Sequence, residues 1–301
     1  MRRLLALFMI IMSFSLFSQS DLSAEEMAMF KSNVVVPLPS EIIMALDRLS
    51  EVNWKEIVSY DYTANYAENY KIALNLGVRV AQGFIAIQAE DRKNTGEMFS
   101  VSRDLAENFG ANSEMFIDKD QISNLLNEGK WMDLRGILDG IHLEIKVEMK
   151  KYDPDYVALA SVGGWIEGLE VVSKALLSNY SEDASTILYQ PELIEHLASE
   201  ILSIKDINKN NPEVKLINEE MPKIQKLCDM GYGNPIPVEN IKQLSDISSN
   251  LIKVIITETK KEEKIDKEKE ESKIAGFPVA VFVALLVVFF VILKKKKKGG
   301  K

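Results

Sequence analysis

The sequence predicts an all-α protein: a multi-helix bundle or irregular array of antiparallel helix pairs, plus one C-terminal transmembrane helix. Three observations carry this reading. Apolar residues recur at helical spacing over most of the chain, and the only short β-branched run, Val34-Val35-Val36, is closed by Pro37 and Pro39. Helix start and stop residues recur between the periodic stretches. From Phe277 to Leu293 no side chain is charged or polar, and five lysines, Lys294 to Lys298, follow at once.

At the front, Met1-Arg2-Arg3 is a basic start and Leu4 to Phe17 an apolar run too short for a comfortable membrane span. Ser18-Gln19-Ser20 then gives a small-x-small cleavage pattern, so residues 1–20 read as a secretory signal peptide. Residues 21–258 follow as an exported helical domain. Its helix starts are Ser40 before Glu41, Ser113 before Glu114, Asp153 with Pro154, Ser181 before Glu182, and Pro191 after Gln190. Gly110, Gly129 and Gly231 are stops. The predicted helices cover 40–51, 62–90, 96–108, 114–127, 130–150, 155–178, 191–204, 213–229 and 238–257. Breakers at Asn208–Pro212 and Gly231–Pro237 set off 213–258 as a candidate subdomain.

Thr259–Lys273 mixes six lysines with six acids and has almost no apolar side chain. It buries no face and reads as a charged stalk, helical or disordered, into which helix 238–257 could run on as one rod. Residues 274–293 read as the transmembrane helix, because in hydrocarbon every backbone polar group must be paired within its own segment. Pro278 sits in its first turn, where a missing N–H costs little. Residues 294–301 form a polylysine tail that marks the cytoplasmic side. The lipid bilayer is thus the expected partner of residues 274–298, with the domain periplasmic or extracellular.

Charge and cysteine usage narrow the class. Residues 21–258 carry 22 Lys and Arg against 39 Asp and Glu, a net charge of −17. Such a surface repels phosphate and argues against nucleic acid as a partner. Cys228 is the only cysteine, so there is no intramolecular disulfide and stability must come from packing. An exported chain of this kind points to a bacterial inner membrane.

Glycines gather in three segments that otherwise read as core helix, despite a cost of about 1 kcal/mol each relative to Ala. They are Ala73-x3-Gly77-x3-Ala81 with Gly83, Gly136 with Gly140, and Gly163-Gly164 with Gly168. Small residues four apart let neighbouring backbones approach, so these predict close helix packing, or else a backbone wall of a ligand pocket. On one helix face Glu167 and Glu170 stand beside Gly163. Arg79 is the expected partner of Glu167 or Glu170, and Arg79, Glu167 and Glu170 are candidate ligand-binding residues. Tyr62, Tyr66 and Tyr70, spaced i, i+4, i+8, predict an aromatic stripe able to stack on a ligand.

A metal site is the alternative. Asp139 and His142 at i, i+3 share a helix face, and with Glu90 and Glu167 they resemble half of a carboxylate-bridged site. A second Glu-x2-His is missing, and the chain has only two histidines. No Gly-x-Ser-x-Gly, His-Glu-x2-His or phosphate-cradling loop occurs, and nucleophilic catalysis lacks its usual parts. No catalytic residue and no cofactor is assigned. The expected function is a non-enzymatic binding or scaffolding module for a protein or small ligand, and the alternative is a metal-binding or hydrolytic bundle.

Overall fold

One helix is enclosed on nearly every side, and the others are arranged around it. The computed structural model describes residue 49 and residues 52–111 and 118–257. The signal 1–20, the helix 40–51 apart from Leu49, the Ser113 start, the stalk 259–273, the span 274–293 and the tail 294–301 lie outside the described residues. The described helices are α1 (Trp54–Ile57), α2 (Asn69–Gln88), α3 (Arg92–Ala106), α4 (Lys119–Glu128), α5 (Trp131–Tyr152) and α6 (Pro154–Ser178). After them come α7 (Glu182–Ser185), α8 (Pro191–Ser203), α9 (Asp206–Lys209), α10 (Pro212–Cys228) and α11 (Val238–Ile256). Short 3-10 turns follow α3 at Glu107–Phe109 and α7 at Thr186–Leu188. No strand occurs among the described residues, and none of their helices is long and apolar enough to cross a membrane.

The central helix is α2, buried on all sides from Lys71 to Ile87 except at Ala81. Most of its surface is apolar and must be enclosed, while the polar residues buried on its remaining face need partners from other elements. Its chief partner is α6, which starts on Asp153 and Pro154 as the sequence requires. The Asp153 carboxylate accepts from the Asp155 N–H at 3.1 Å, and Pro154 occupies the first turn, where no N–H is needed. The two helices touch backbone to backbone. A Cβ on Gly77 would run into the Ala160 carbonyl oxygen, and one on Gly163 into the Leu74 carbonyl oxygen. One on Gly164 would lie 3.0 Å from the Gly77 carbonyl oxygen. Small residues at these positions are therefore what sets the spacing of the α2–α6 pair.

Around this pair, α3 and α5 flank α2, while α8 and α11 flank α6. The described part of the candidate subdomain, 213–257, shares this core through α10 and α11. Ile217, Ile224, Ile241, Leu244 and Leu251 are all fully enclosed, and Cys228 is buried among them with its thiol pushed up to about 12 by burial. The described residues within Met1–Glu258 form one compact unit.

Four boundaries differ from the sequence reading, each for a visible reason. The predicted helix 114–127 begins at Lys119, because Asp118 caps it, accepting from the Asp120 N–H at 3.3 Å. The predicted helix 62–90 begins only at Asn69, because Asp61 and Tyr66 turn inward to meet a buried arginine. The predicted helix 96–108 begins at Arg92, because Asp91 caps it, accepting from the Asn94 N–H at 3.1 Å. The last helix stops at Ile256, and Thr257 is extended, so no rod continues through that residue. The Ser181 start is real but opens only the single turn α7.

Candidate functional site

Four polar residues of α2, namely Lys71, Asn75, Arg79 and Gln82, fall at i, i+4, i+8 and i+11 and so share one face. All four are buried. A polar group enclosed without a partner costs about 1–3 kcal/mol, more if charged, so this stripe must be answered by other elements. Lys71 Nζ pairs with Glu213 of α10 at 2.9 Å, and the same carboxylate accepts from Tyr70 Oη at 2.9 Å. Asn75 Nδ2 donates to the Ile255 carbonyl at 2.9 Å, and Tyr66 Oη donates to the Ile256 carbonyl at 3.3 Å. These are last-turn carbonyls of α11 that have no partner within their own helix.

Arg79, with no exposed surface, is the hub. Its Nη2 pairs with Asp61 at 3.0 Å and donates to Tyr66 Oη at 3.1 Å and Asn75 Oδ1 at 3.4 Å, while Nη1 donates to Gln82 Oε1 at 3.4 Å. Gln82 Nε2 in turn donates to Glu167 Oε1 at 3.2 Å and to the Ser59 carbonyl at 3.2 Å. The expected direct pair between Arg79 and Glu167 is thus replaced by a bridge through Gln82, and the counter-ion of Arg79 is Asp61.

Glu167 keeps one oxygen, Oε2, without a hydrogen-bond partner although the residue is only 2% exposed. Burial first, and Glu170 second, push its carboxyl up to about 8, against opposition from Gln82, Arg79 and Lys174. Glu170, one turn on, pairs with Lys174 and accepts from Ser249 Oγ of α11 at 2.8 Å. Glu167, Glu170, Lys174, Ser249 and Lys253 line a cavity of about 140 Å³ between the segment after α1, α6 and α11.

A second cavity, of about 120 Å³, lies on another face of α6, bounded by α2, α5 and α8. Gly77, Gly164 and Gly168 give it a backbone wall, and Phe84, Leu169, Val172, Leu193 and Leu197 supply apolar surface. Nothing lies within 4 Å of where a Cβ on Gly168 would stand, so that glycine holds the space open. Its polar lining is sparse. Trp165 Nε1 donates to Gln190 Oε1 at 3.4 Å, and His142 and Lys146 reach it from α5. Burial, with Lys146 beside it, pushes the His142 imidazole down to about 3, and burial likewise lowers the Lys146 ammonium, against Glu200.

The predicted site residues therefore separate into groups. Arg79, Tyr66 and Glu167 belong to one network, and Glu170 adjoins it. Tyr62, Tyr66 and Tyr70 form no helical stripe, since only Tyr70 is in α2: Tyr62 is exposed and bonds Asn94, Tyr66 faces Arg79, and Tyr70 serves Glu213. Asp139, His142, Glu90 and Glu167 do not assemble a metal-holding group, and among the described residues no three His, Cys, Asp or Glu do. Glu90 is exposed at the end of α2, His142 faces the apolar cavity, and Asp139 buries an unpartnered Oδ1 on α5. Asp61, Asn75, Gln82, Lys71 and Glu213 were not singled out from sequence, though the i, i+4, i+8, i+11 spacing on α2 was there to be seen. No family model, curated protein or solved structure matches the chain, so its functional reading rests on this geometry.

Proposed function

We propose that the chain is a membrane-anchored, non-enzymatic binding module of a bacterial envelope that takes a small, largely apolar molecule. The observation that supports it is the backbone-walled cavity between α2, α5, α6 and α8. Ligand sites are typically concave, apolar and supplied with a few orienting polar groups, here His142, Lys146 and Gln190. At about 120 Å³ the cavity is close to the ~150 Å³ of an engineered cavity that takes up benzene. The uncharged run Phe277–Leu293 and the lysines after it support the anchor, and residues 1–20 support export.

The test is thermal unfolding of the full chain in lipid nanodiscs, with benzene and short-chain alcohols as probes. A ligand that binds only the folded state stabilises it by about 2.7 kcal/mol at a hundred times its Kd. The wild type is expected to melt higher with at least one probe, with a change in Trp165 fluorescence. Gly168→Leu, which fills the space without a clash at Cβ, is expected to fold and to lose the response. No shift with any probe in the wild type would count against the reading.

A further inference from the structure

The cavity between α2, α5, α6 and α8 has two kinds of wall. Its enclosed wall is apolar, with Phe84, Leu169, Val172, Leu193 and Leu197 all buried. Its half-exposed lining, where solvent reaches in, carries the polar groups His142, Lys146, Trp165 and Gln190. Two of these are already committed. Trp165 Nε1 donates to Gln190 Oε1 at 3.4 Å, and Gln190 Nε2 donates to the Ile187 carbonyl at 3.1 Å. Lys146 and His142, one turn apart on α5, form no hydrogen bond or ion pair among the described residues. We propose that this cavity takes a short aliphatic monocarboxylate, its chain against the apolar wall and its carboxylate on Lys146, with the His142 N–H beside it. This rests on the reading of the cavity as a ligand site and adds the sign of the ligand's charge.

The sign follows from what lines the space. Among the described residues no Asp or Glu lines it, and Lys146 is its one charge, although residues 21–258 carry a net −17. Burial lowers the Lys146 ammonium more than Glu200 on α8 raises it, and the Glu200 carboxylate lies 3.6 Å from His196 instead. An ammonium in this position lacks a counter-ion, and a carboxylate brought beside it supplies one. The His142 imidazole, pushed down to about 3 by burial and by Lys146, is neutral at physiological pH. It therefore has one N–H to donate and adds no second positive charge. One ammonium answers one negative charge. A phosphate dianion would keep a charge unanswered, and an amine would meet Lys146 with like charge.

Size limits the chain. At about 120 Å³ the cavity is somewhat smaller than the ~150 Å³ cavity that holds benzene, so a chain of about four or five carbons fits. Each methylene that leaves water adds to affinity, so the chain supplies binding and the head group supplies selectivity. Lys146 is only half-buried, so a carboxylate paired with it keeps part of its hydration. That spares most of the cost of burying a charge outright.

The test is calorimetric titration of the full chain in lipid nanodiscs, at neutral pH, with pentanoate, pentan-1-ol and pentylamine. These share one chain and differ in head group, and empty nanodiscs serve as the blank. Pentanoate is expected to bind at least about tenfold more tightly than pentan-1-ol, a difference of about 1.4 kcal/mol, and pentylamine more weakly than either. Lys146→Met keeps an apolar stem and is expected to erase the preference for the acid over the alcohol. Lys146→Arg keeps the charge and is expected to retain it. Gly168→Leu is expected to lose pentanoate, which ties the anion to this cavity and not to a surface lysine. The proposal is overturned if pentan-1-ol or pentylamine binds as tightly as pentanoate, if Lys146→Met keeps the preference, or if Gly168→Leu still binds pentanoate. The three probes on the wild type decide it even where a variant fails to fold. Binding of the alcohol with no preference for the acid removes this proposal and leaves the cavity a ligand site; no binding by any of the three removes both.

Discussion

Glycine is used in two opposite ways on these helices, and substitution tells them apart. Gly77 and Gly163 are seated against carbonyl oxygens of the partner helix, so a methyl group there forces the backbones apart. Gly77→Ala and Gly163→Ala are each expected to cost about 1–3 kcal/mol or more in urea unfolding. Gly136 and Gly140 have nothing near the Cβ position, so Gly136→Ala and Gly140→Ala are expected to stabilise by about 0.5–1 kcal/mol. The spacing of four was legible in both segments. Whether a partner helix lies against it was not, because spacing records what a surface permits and not what covers it. Glu167 is a second case: its place beside Gly163 on α6 was readable, but its enclosure and its link to Arg79 through Gln82 depend on α2.

The segment from Val58 to Glu68 shows how a tertiary demand overrides a local pattern. Tyr62, Tyr66 and Tyr70 have helical spacing, yet Asp61 accepts from the Thr63 N–H at 2.7 Å and holds a turn there instead. The reason lies in α2. Arg79 has no acid of its own helix within reach, and the turn presents Asp61 and Tyr66 to it. An unanswered arginine in this core would cost more than the helical turns that are given up. Arg79→Met is therefore expected to destabilise by about 3–5 kcal/mol and to expose the segment 58–68 to protease. Combining it with Asp61→Asn should recover part of that loss, and a double variant no more stable than Arg79→Met alone would deny the pairing. Where caps are local, as at Asp153 and Pro154 or at Gly129 in its left-handed conformation (φ 67°), sequence and structure agree to within a residue or two.

Across the domain, two titrating groups, the buried Glu167 and the half-buried His142, tilt stability in opposite directions. The Glu167 carboxyl is raised from 4.5 to about 8, so its contribution is complete below pH 4.5 and is lost as pH rises toward 8. The His142 imidazole is lowered from 6.5 to about 3, so its contribution is complete above pH 6.5 and is lost as pH falls toward 3. Each slope is at most about 1.4 kcal/mol per pH unit. Between pH 4.5 and 6.5 the two oppose each other. Relative to wild type, Glu167→Gln should gain stability steadily from pH 5 to 8, and His142→Gln should gain it from pH 6 down to 4. Denaturation midpoints across that range check both, and parallel curves for wild type and variants would refute the shifted titration of these groups. Cys228, enclosed and with its thiol raised, is expected to react with iodoacetamide only as fast as the core opens.

The end of α11 carries a mechanical consequence. The chain leaves the described domain just past Ile256, where Tyr66 and Asn75 hold the final carbonyls and where, one and two turns back, Lys253 and Ser249 line the Glu167 cavity. Tension delivered through the backbone beyond Thr257 would enter at this clamp. It would be resisted there both by the hydrogen bonds onto the central helix and by Ile252 and Ile255, which are buried in the same last turns.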